Sequence, residues 1–420
     1  MSAAGASVGM FSGLVPGIHV NTLASLILIS YPIIGSFISM FTDASYIPVM
    51  LSACIVSASV VHSFVNYVPS VFTGVPDQDT VMSVLPGHRL LLKGKGMAAV
   101  RASAIGSLIG AMSAVAIAVP LQYLMVNGLG DILQRMTILI LMIAVTALVI
   151  GERSLKDRCF ALILIILSGV MGCVCMFMPV PYEGLLFRGD LLFPLLTGLF
   201  GIPMLISSAG NVEIPAQTDD ERYPVTPASG LKGVLTGSVV GWFPGITATA
   251  GAAFTRIFVK EDREERFIAL VSSIGTASAV FALITLSVNG KGRSGTMLVV
   301  REILGDSISG VGNWIFLLML LSVAIASVIG YWATIRSGTA MSRFISKVDI
   351  RKMNAAIVIL IVVLVTLMTG VWGIAILLVS SIVGLIPLSA GIGRVHLSGC
   401  LLIPVILLQF NLDVVFLSLF

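Results

Sequence analysis

Two phrases in the chain share a spacing of residues that can open a helix and expose its backbone. Gly5, Gly9, Gly13 and Gly17 fall four apart, with Pro16 before the last; Gly233, Gly237, Gly241 and Gly245 do the same, with Pro244 before the last. The phrases read GASVGMFSGLVPGI and GVLTGSVVGWFPGI. Proline donates no backbone N–H and disfavours helix at the residue before it, so the carbonyls of Ser12 and Val240 each lose a partner. Gly17 and Gly245 let the chain turn without steric cost. Directly afterwards come His19, Asn21 and Thr22 in one phrase, and Thr247 and Thr249 in the other. A half-helix starting there aims free N–H groups and hydroxyls at the break, which suits a carboxylate. The freed carbonyls suit a cation such as Na⁺. Pro16, Gly17, His19, Asn21, Thr22, Pro244, Gly245, Thr247 and Thr249 are therefore the candidate site for a small anion. Ser12 and Val240 are candidates for a coupling ion or a gate. The plainer reading is a proline kink with a glycine packing face and no ligand. Two matched phrases, each followed by polar residues, favour a site.

These residues have to be positioned inside lipid. Of 420 residues, 57% are hydrophobic and only 10% charged, and the mean hydropathy is +1.07. A soluble domain carries about 25% charged residues, so too few polar side chains exist to cover a water-facing surface. The net charge of +4 comes with no basic stripe, which argues against nucleic acid and fits Lys/Arg-rich cytoplasmic loops. The five cysteines all lie in apolar stretches without a histidine cluster, so they read as small side chains at helix contacts. The start of the chain has no basic region typical of a cleaved signal peptide, so the first apolar segment is expected to remain as a span.

A lipid span needs about 20 apolar residues. Candidates are 5–30, 46–68, 98–126, 133–151, 159–179, 191–210, 231–258, 267–288, 311–335, 354–370, 372–390 and 397–419. The pair meeting near 370 reads as a tight hairpin or one bent element. Backbone groups in lipid must bond internally, so the spans are helices. The expected fold is an all-α polytopic membrane protein of about 10–12 transmembrane helices. It has two homologous repeats, 1–210 and 231–420, joined by a linker over 211–230. Glu213, Asp219, Asp220 and Glu221 make that linker acidic. Basic loops fall at alternate positions in the two halves: Arg153, Lys156 and Arg158 in one, Arg256, Lys260, Arg263, Arg266 and the Arg336–Lys352 run in the other. The positive-inside rule then orients the halves oppositely, as inverted repeats. Inversion needs an odd number of crossings per half, whereas six are counted, so one segment is not a full crossing or one is missed.

Two stretches, 66–97 and 287–305, mix Gly or Pro with short apolar runs after the second span of each half. They read as re-entrant segments lining a cavity, or as interfacial loops with a short amphipathic helix. Ionisable residues in spans are candidates by default. His62 lies late in the second span; Asp77 and Asp79 follow Pro76 and could bind a coupling cation or cap the next helix. Asn66 and Ser70 join His62, Asp77 and Asp79 as coupling-ion or gating candidates. Lys291 and Arg293 read as headgroup contacts or as an attraction for anions. No Walker loop or zinc-protease pair occurs. A Gly-x-Ser-Gly at Gly292–Gly295 superficially resembles a rhomboid protease nucleophile, with His396 the one distant partner.

The phrase GLVPGIHVNT, followed by PSVFTGVPDQDTVMSVLPGHRLLLKGKGMAAVRASAIGSLIG, resembles the large membrane subunit of tripartite tricarboxylate transporters. GWFPGI, FPLLTGLFGIP and RVHLSGCLLIPVILLQ extend the likeness over most of the chain, as in a divergent prokaryotic branch. The resemblance implies secondary uptake of citrate-like polycarboxylates driven by an ion gradient. It also implies a small membrane subunit and an extracytoplasmic binding protein as partners. Wider relatives place substrate between inverted repeats, and many are homodimers that move a transport domain against a scaffold. The resulting expectation is a multi-pass permease of the cell membrane for small organic anions, coupled to Na⁺ or H⁺, without a resident cofactor or metal. The alternatives are a channel-like or other non-transporting membrane protein, or an intramembrane enzyme.

Overall fold

The computed structural model describes the chain apart from residues 16–19, 75–79, 178–190, 208–213, 219–226, 244–247, 250, 253–254, 256–258, 260, 346–348, 415–417 and 419–420, and apart from the side chains of Thr22, Val81, Leu85, Met204 and Ile350. Among the described residues every regular element is a helix. Six are long and apolar enough to cross a bilayer, so the protein is an all-α polytopic membrane protein.

The glycine phrases act first as packing faces. Helix α1 (Ser2–Leu14) lies on α4 (Ile47–Val65), and α12 (Pro227–Trp242) lies on α13 (Glu264–Asn289). A Cβ on Gly5 would strike the Cys54 carbonyl, one on Gly9 the Ala58 carbonyl, and one on Gly13 would stand 3.1 Å from the His62 carbonyl. In the second pair a Cβ on Gly233 would stand 2.5 Å from the Leu270 carbonyl, on Gly237 3.0 Å from that of Ile274, and on Gly241 2.6 Å from that of Ser278. Cys54, Ala58 and His62 thus map onto Leu270, Ile274 and Ser278 by one constant shift. Each glycine admits a neighbouring backbone where any side chain would hold it off.

The same shift continues past both long helices. Helix α5 (Tyr67–Thr73) extends α4 and is capped by Gly74 at φ 73°; α13 is capped by Gly290 at φ 62°. Both caps use the left-handed backbone that glycine adopts freely. After each comes a short helix, α6 (Val81–Leu92) in one half and α14 (Gly295–Leu304) in the other. Then follow the long α7 (Gly96–Leu124) and α15 (Trp314–Ile345). The halves interlock: α7 packs on α13, and α15 packs on α4. Gln122 on α7 fastens the crossing, donating to Ser287 Oγ at 2.9 Å and to the Gly310 carbonyl at 3.0 Å, and accepting from Gly312 N at 3.0 Å. One apolar cluster spans α1, α4, α13, α14 and α15.

The remaining helices form a second packed group: α8 (Gly130–Ile150), α9 (Leu155–Phe177), α10 (Leu192–Leu196), α11 (Ile202–Ser207), α16 (Ile350–Ala390) and α17 (Gly399–Gln409). Its seams again use small residues, with Gly172 seated on the Cys400 backbone and Gly384 on that of Leu199. The two spans expected to meet near 370 are one bent element, α16, which turns at Gly370 with φ 61° and ψ −149°. Over the described residues, the stretch 192–207 is interrupted by a π turn at Thr197–Gly201, and α17 ends at Gln409, short of a bilayer, where the chain turns through Asn411 at φ 55°. The linker's described part, 214–218, is extended and pins the turn between α6 and α7, with Gly96 N donating to Gln217 Oε1 at 2.8 Å. Its acidic residues lie outside the described set.

Substituting Gly9 or Gly237 by leucine is expected to cost about 1–3 kcal/mol or more, by overpacking against fixed backbone. Gly35→Ala on α3 (Tyr31–Ile38), whose added Cβ meets only ordinary contacts at 3.7 and 3.9 Å, is expected to be neutral or slightly stabilising. Thermal unfolding of the three variants in detergent measures the contrast.

Candidate functional site

Both broken helices stop where their prolines dictate. Helix α1 ends at Leu14, and Val15, the residue before Pro16, is extended at φ −99° and ψ 106°. Helix resumes as α2 (Val20–Ile29). In the other half α12 ends at Trp242 and helical residues resume at Ala248. Pro16, Gly17, His19, Pro244, Gly245 and Thr247 lie outside the described residues, as does the side chain of Thr22. Of the remaining anion-site candidates, Asn21 sits in the first turn of α2, and Thr249 is buried in the first turn after the second break.

Asn21 reaches across the duplication. Its side-chain Oδ1 accepts from Thr296 N at 3.0 Å, in the first turn of α14. That helix start is otherwise closed by Ser294, whose Oγ accepts from Met297 N at 3.3 Å and pairs with Thr296 Oγ1 at 2.9 Å. Gly295 makes the approach feasible, since a Cβ there would stand 2.7 Å from the Asn21 Cγ. The second break is met in kind. Met82 of α6 packs against a cluster containing Val240, Ala248 and Ala252. The first break thus abuts the short helix of the opposite half, and at the second the short helix α6 shares an apolar cluster with residues on both sides of the break. Val240, a coupling or gating candidate, is here a buried apolar residue of that cluster.

The other coupling candidates gather in the first half. Ser12 Oγ and His62 Nδ1 are 2.8 Å apart, both buried, and Ser12 also donates to the Gly9 carbonyl at 3.1 Å. Asn66 caps α4, where Pro69 offers no N–H to the Val65 carbonyl. Ser70 Oγ donates to the Asn66 carbonyl at 2.8 Å and pairs with Thr80 Oγ1 at 3.0 Å. Thr80 occupies the N-cap position of α6, one residue beyond Asp79; Asp77 and Asp79 themselves lie outside the described residues. Ser63, Asn66, Tyr67, Thr80, Ser83, Val271, Ser272 and Gly275 enclose a small cavity between α4, α5, α6 and α13. Thr80, Thr296, Ser83 and Ser272 escaped the reading of the sequence. The signal for the first pair was present: Thr80 and Thr296 stand at the same distance after Gly74 and Gly290.

The Gly-x-Ser-Gly serine is an N-cap. Its distant histidine, His396, is engaged in the second packed group, with Nε2 2.7 Å from Glu152 Oε1. Among the described residues no group of three His, Cys, Asp or Glu side chains is placed to hold a metal ion.

A family model described as "Tripartite tricarboxylate transporter TctA family" matches residues 1–399. A protein of Methanocaldococcus jannaschii, described only as uncharacterized, is 26% identical over 407 residues, covering 95% of this chain and 96% of that one. No solved structure matches.

Replacing Asn21 by leucine leaves the Thr296 N–H without this acceptor, and is expected to cost about 1–3 kcal/mol. Asn21→Asp keeps an acceptor oxygen and is expected to fall within about 1 kcal/mol of the parent. Hydrogen–deuterium exchange over 295–300 reads the difference: exchange accelerates in the leucine variant and stays slow in the aspartate variant.

Proposed function

The chain belongs to the tripartite tricarboxylate transporter TctA family, and from that premise we propose that this multi-pass transporter subunit moves small polycarboxylates across the cell membrane, coupled to a cation gradient. Membership makes it a transport protein rather than an enzyme, and a component that works with partner proteins. In our reading those partners are a small membrane subunit and an extracytoplasmic binding protein that delivers the anion, and the subunit itself pairs as a homodimer.

The observation that carries the proposal is the bond from Asn21 to Thr296 N. It couples the broken helix of one half to the start of the short helix of the other, 275 positions along the chain. The Thr296 and Met297 N–H groups are taken by Asn21 and Ser294, so what this helix start offers an anion is its partial positive charge. A helix start beside each break is the arrangement that would seat a molecule with several carboxylates. On this reading the halves are inverted repeats, 1–210 and 231–420, and the substrate lies between them near Pro16–Thr22 and Pro244–Thr249. Movement of one packed group of helices against the other then changes the side from which the seat is reached. The interlocked group containing α1, α4 and α12–α15 carries the seat; the group of α8–α11, α16 and α17 is its frame.

The purified protein in liposomes is expected to accumulate labelled citrate or a related di- or tricarboxylate saturably when a Na⁺ or H⁺ gradient is imposed, with the cognate binding protein supplied outside. Asn21→Ala and Thr249→Ala are expected to lower uptake at least about tenfold, a loss of ~1.4 kcal/mol in the transport barrier. Non-saturating, uncoupled flux in the parent protein is the result that removes this reading in favour of a channel.

A further inference from the structure

We infer that the cavity lined by Ser63, Tyr67, Ser83 and Ser272 is a Na⁺ site, the seat of the coupling ion; this rests on the coupled-transport reading above. The argument begins with where the hydroxyl protons go. Ser63 Oγ donates to the Ser59 carbonyl at 3.0 Å. Tyr67 Oη donates to the Ser83 carbonyl at 3.1 Å, and Ser83 Oγ to the Thr80 carbonyl at 2.9 Å. Ser272 Oγ donates to Ser103 Oγ at 2.9 Å. All four hydroxyls spend their protons on other groups, so they offer only lone pairs to the enclosed space. A hydroxyl carries one donor and two acceptor positions, and here the donor is used. A water molecule seated there could give two hydrogens but would receive none from these four groups. A hard cation needs only oxygen lone pairs.

Size and field agree. The space measures about 10 Å³, roughly what one water molecule requires, and a bare Na⁺ ion is smaller. The cavity lies beside the junction of α4 and α5. Pro69 removes the N–H that the Val65 carbonyl would otherwise receive. Freed carbonyls at a helix interruption are the groups that coordinate Na⁺ within membranes.

The duplication supplies an internal control. The constant shift that maps Cys54 onto Leu270 and Gly74 onto Gly290 carries Ser63, Asn66, Tyr67 and Ser83 onto Ala279, Ala282, Leu283 and Val299. Run backwards, it carries Val271, Ser272 and Gly275 onto Ile55, Val56 and Ser59. Ile55, Val56, Ala282, Leu283 and Val299 all belong to one buried apolar cluster. At these five positions the matched scaffold packs hydrocarbon, while two other matched positions carry hydroxyls: Thr80 maps onto Thr296 and Gly275 onto Ser59. The oxygens at Tyr67, Ser83 and Ser272 are therefore not demanded by the packing.

The test uses the full-length protein in detergent, unfolded thermally in sodium chloride and in choline chloride at equal ionic strength. Na⁺ is expected to raise Tm saturably, as a ligand of the folded state does. The S63A/S83V/S272V variant puts the residues of the second half into the cavity. It is expected to fold and to raise the half-saturating Na⁺ concentration at least about tenfold; Ser83→Ala, the gentlest single change, serves if the triple variant does not fold. A parent Tm indifferent to Na⁺ overturns the site and leaves a water cavity. Uptake in liposomes separates the two proposals. Polycarboxylate uptake driven by H⁺ alone, with no Na⁺ stabilisation, overturns the cation site and keeps the transporter. Na⁺ stabilisation lost in the variants, without uptake of any carboxylate, keeps the cation site and overturns the substrate reading.

Discussion

A backbone group in hydrocarbon has no water to fall back on, so every N–H and carbonyl needs a partner within the protein. That constraint decides where this chain can afford to break a helix. Pro16 and Pro244 interrupt α1 and α12 within apolar stretches, at positions that would be untenable facing lipid. On the described side of the first break, the first turn of α2 meets the start of α14 through Asn21, whose side-chain oxygen takes up the Thr296 N–H. A backbone donor at a helix start is thereby satisfied from within the protein.

Close backbone approach makes that arrangement possible. The four-residue glycine spacing lowers α1 onto α4 and α12 onto α13 until carbonyls occupy the space where side chains would be. Helices so seated cannot shear past one another without collision. Their broken ends are therefore held in register with the short helices that α5 and α13 lead into. Interlocking of the halves, α7 on α13 and α15 on α4, makes neither half a self-sufficient core. The apolar cluster that crosses from Ala6 through Phe64 to Leu283 and Phe316 is built from both. The second group of helices, by contrast, closes mainly on itself through Gly172, Gly198 and Gly384.

Much of this could be read from composition and spacing. Hydropathy located the spans because lipid imposes a length and a polarity that water does not. The glycine and proline phrases located the breaks because those residues act locally, on their own backbone. What spacing could not yield was partnership. Nothing near Asn21 in the chain indicates that its carboxamide will find Thr296, and nothing about Met82 points to the cluster around Val240 and Leu270. Such contacts are set by how long helices stack. The hydroxyl cavity was hidden for a different reason. Serine and threonine in apolar helices commonly bond to the carbonyl one turn back, as Ser327 and Thr334 do here, so Ser63 and Ser272 look no different in a string of letters. The end of α17 was legible in part: Gln409, Asn411 and Asp413 mark the turn within an otherwise apolar run.

The two halves share a scaffold but have diverged in what they place at matched positions, and the divergence is one-sided. Ser12 and His62 form a buried polar pair in the first half; the matched residues are Val240 and Ser278, the second of which bonds back to the Gly275 carbonyl. Asn66, Tyr67 and Ser83 line a small void where the second half has Ala282, Leu283 and Val299 packed together. A buried hydroxyl gains nothing over a methyl group in a packed core and must be hydrogen-bonded to break even. Retaining hydroxyls at Tyr67, Ser83 and Ser272, where the matched positions are Leu283, Val299 and Val56, is a cost in packing. A symmetric pair of sites would hold two of the same ligand in opposite orientations. An asymmetric pair lets one half be rigid hydrocarbon while the other responds to an ion. Helix α13 touches both short helices, α6 at the cavity and α14 at the Asn21 junction, so one continuous helix lies between the two places.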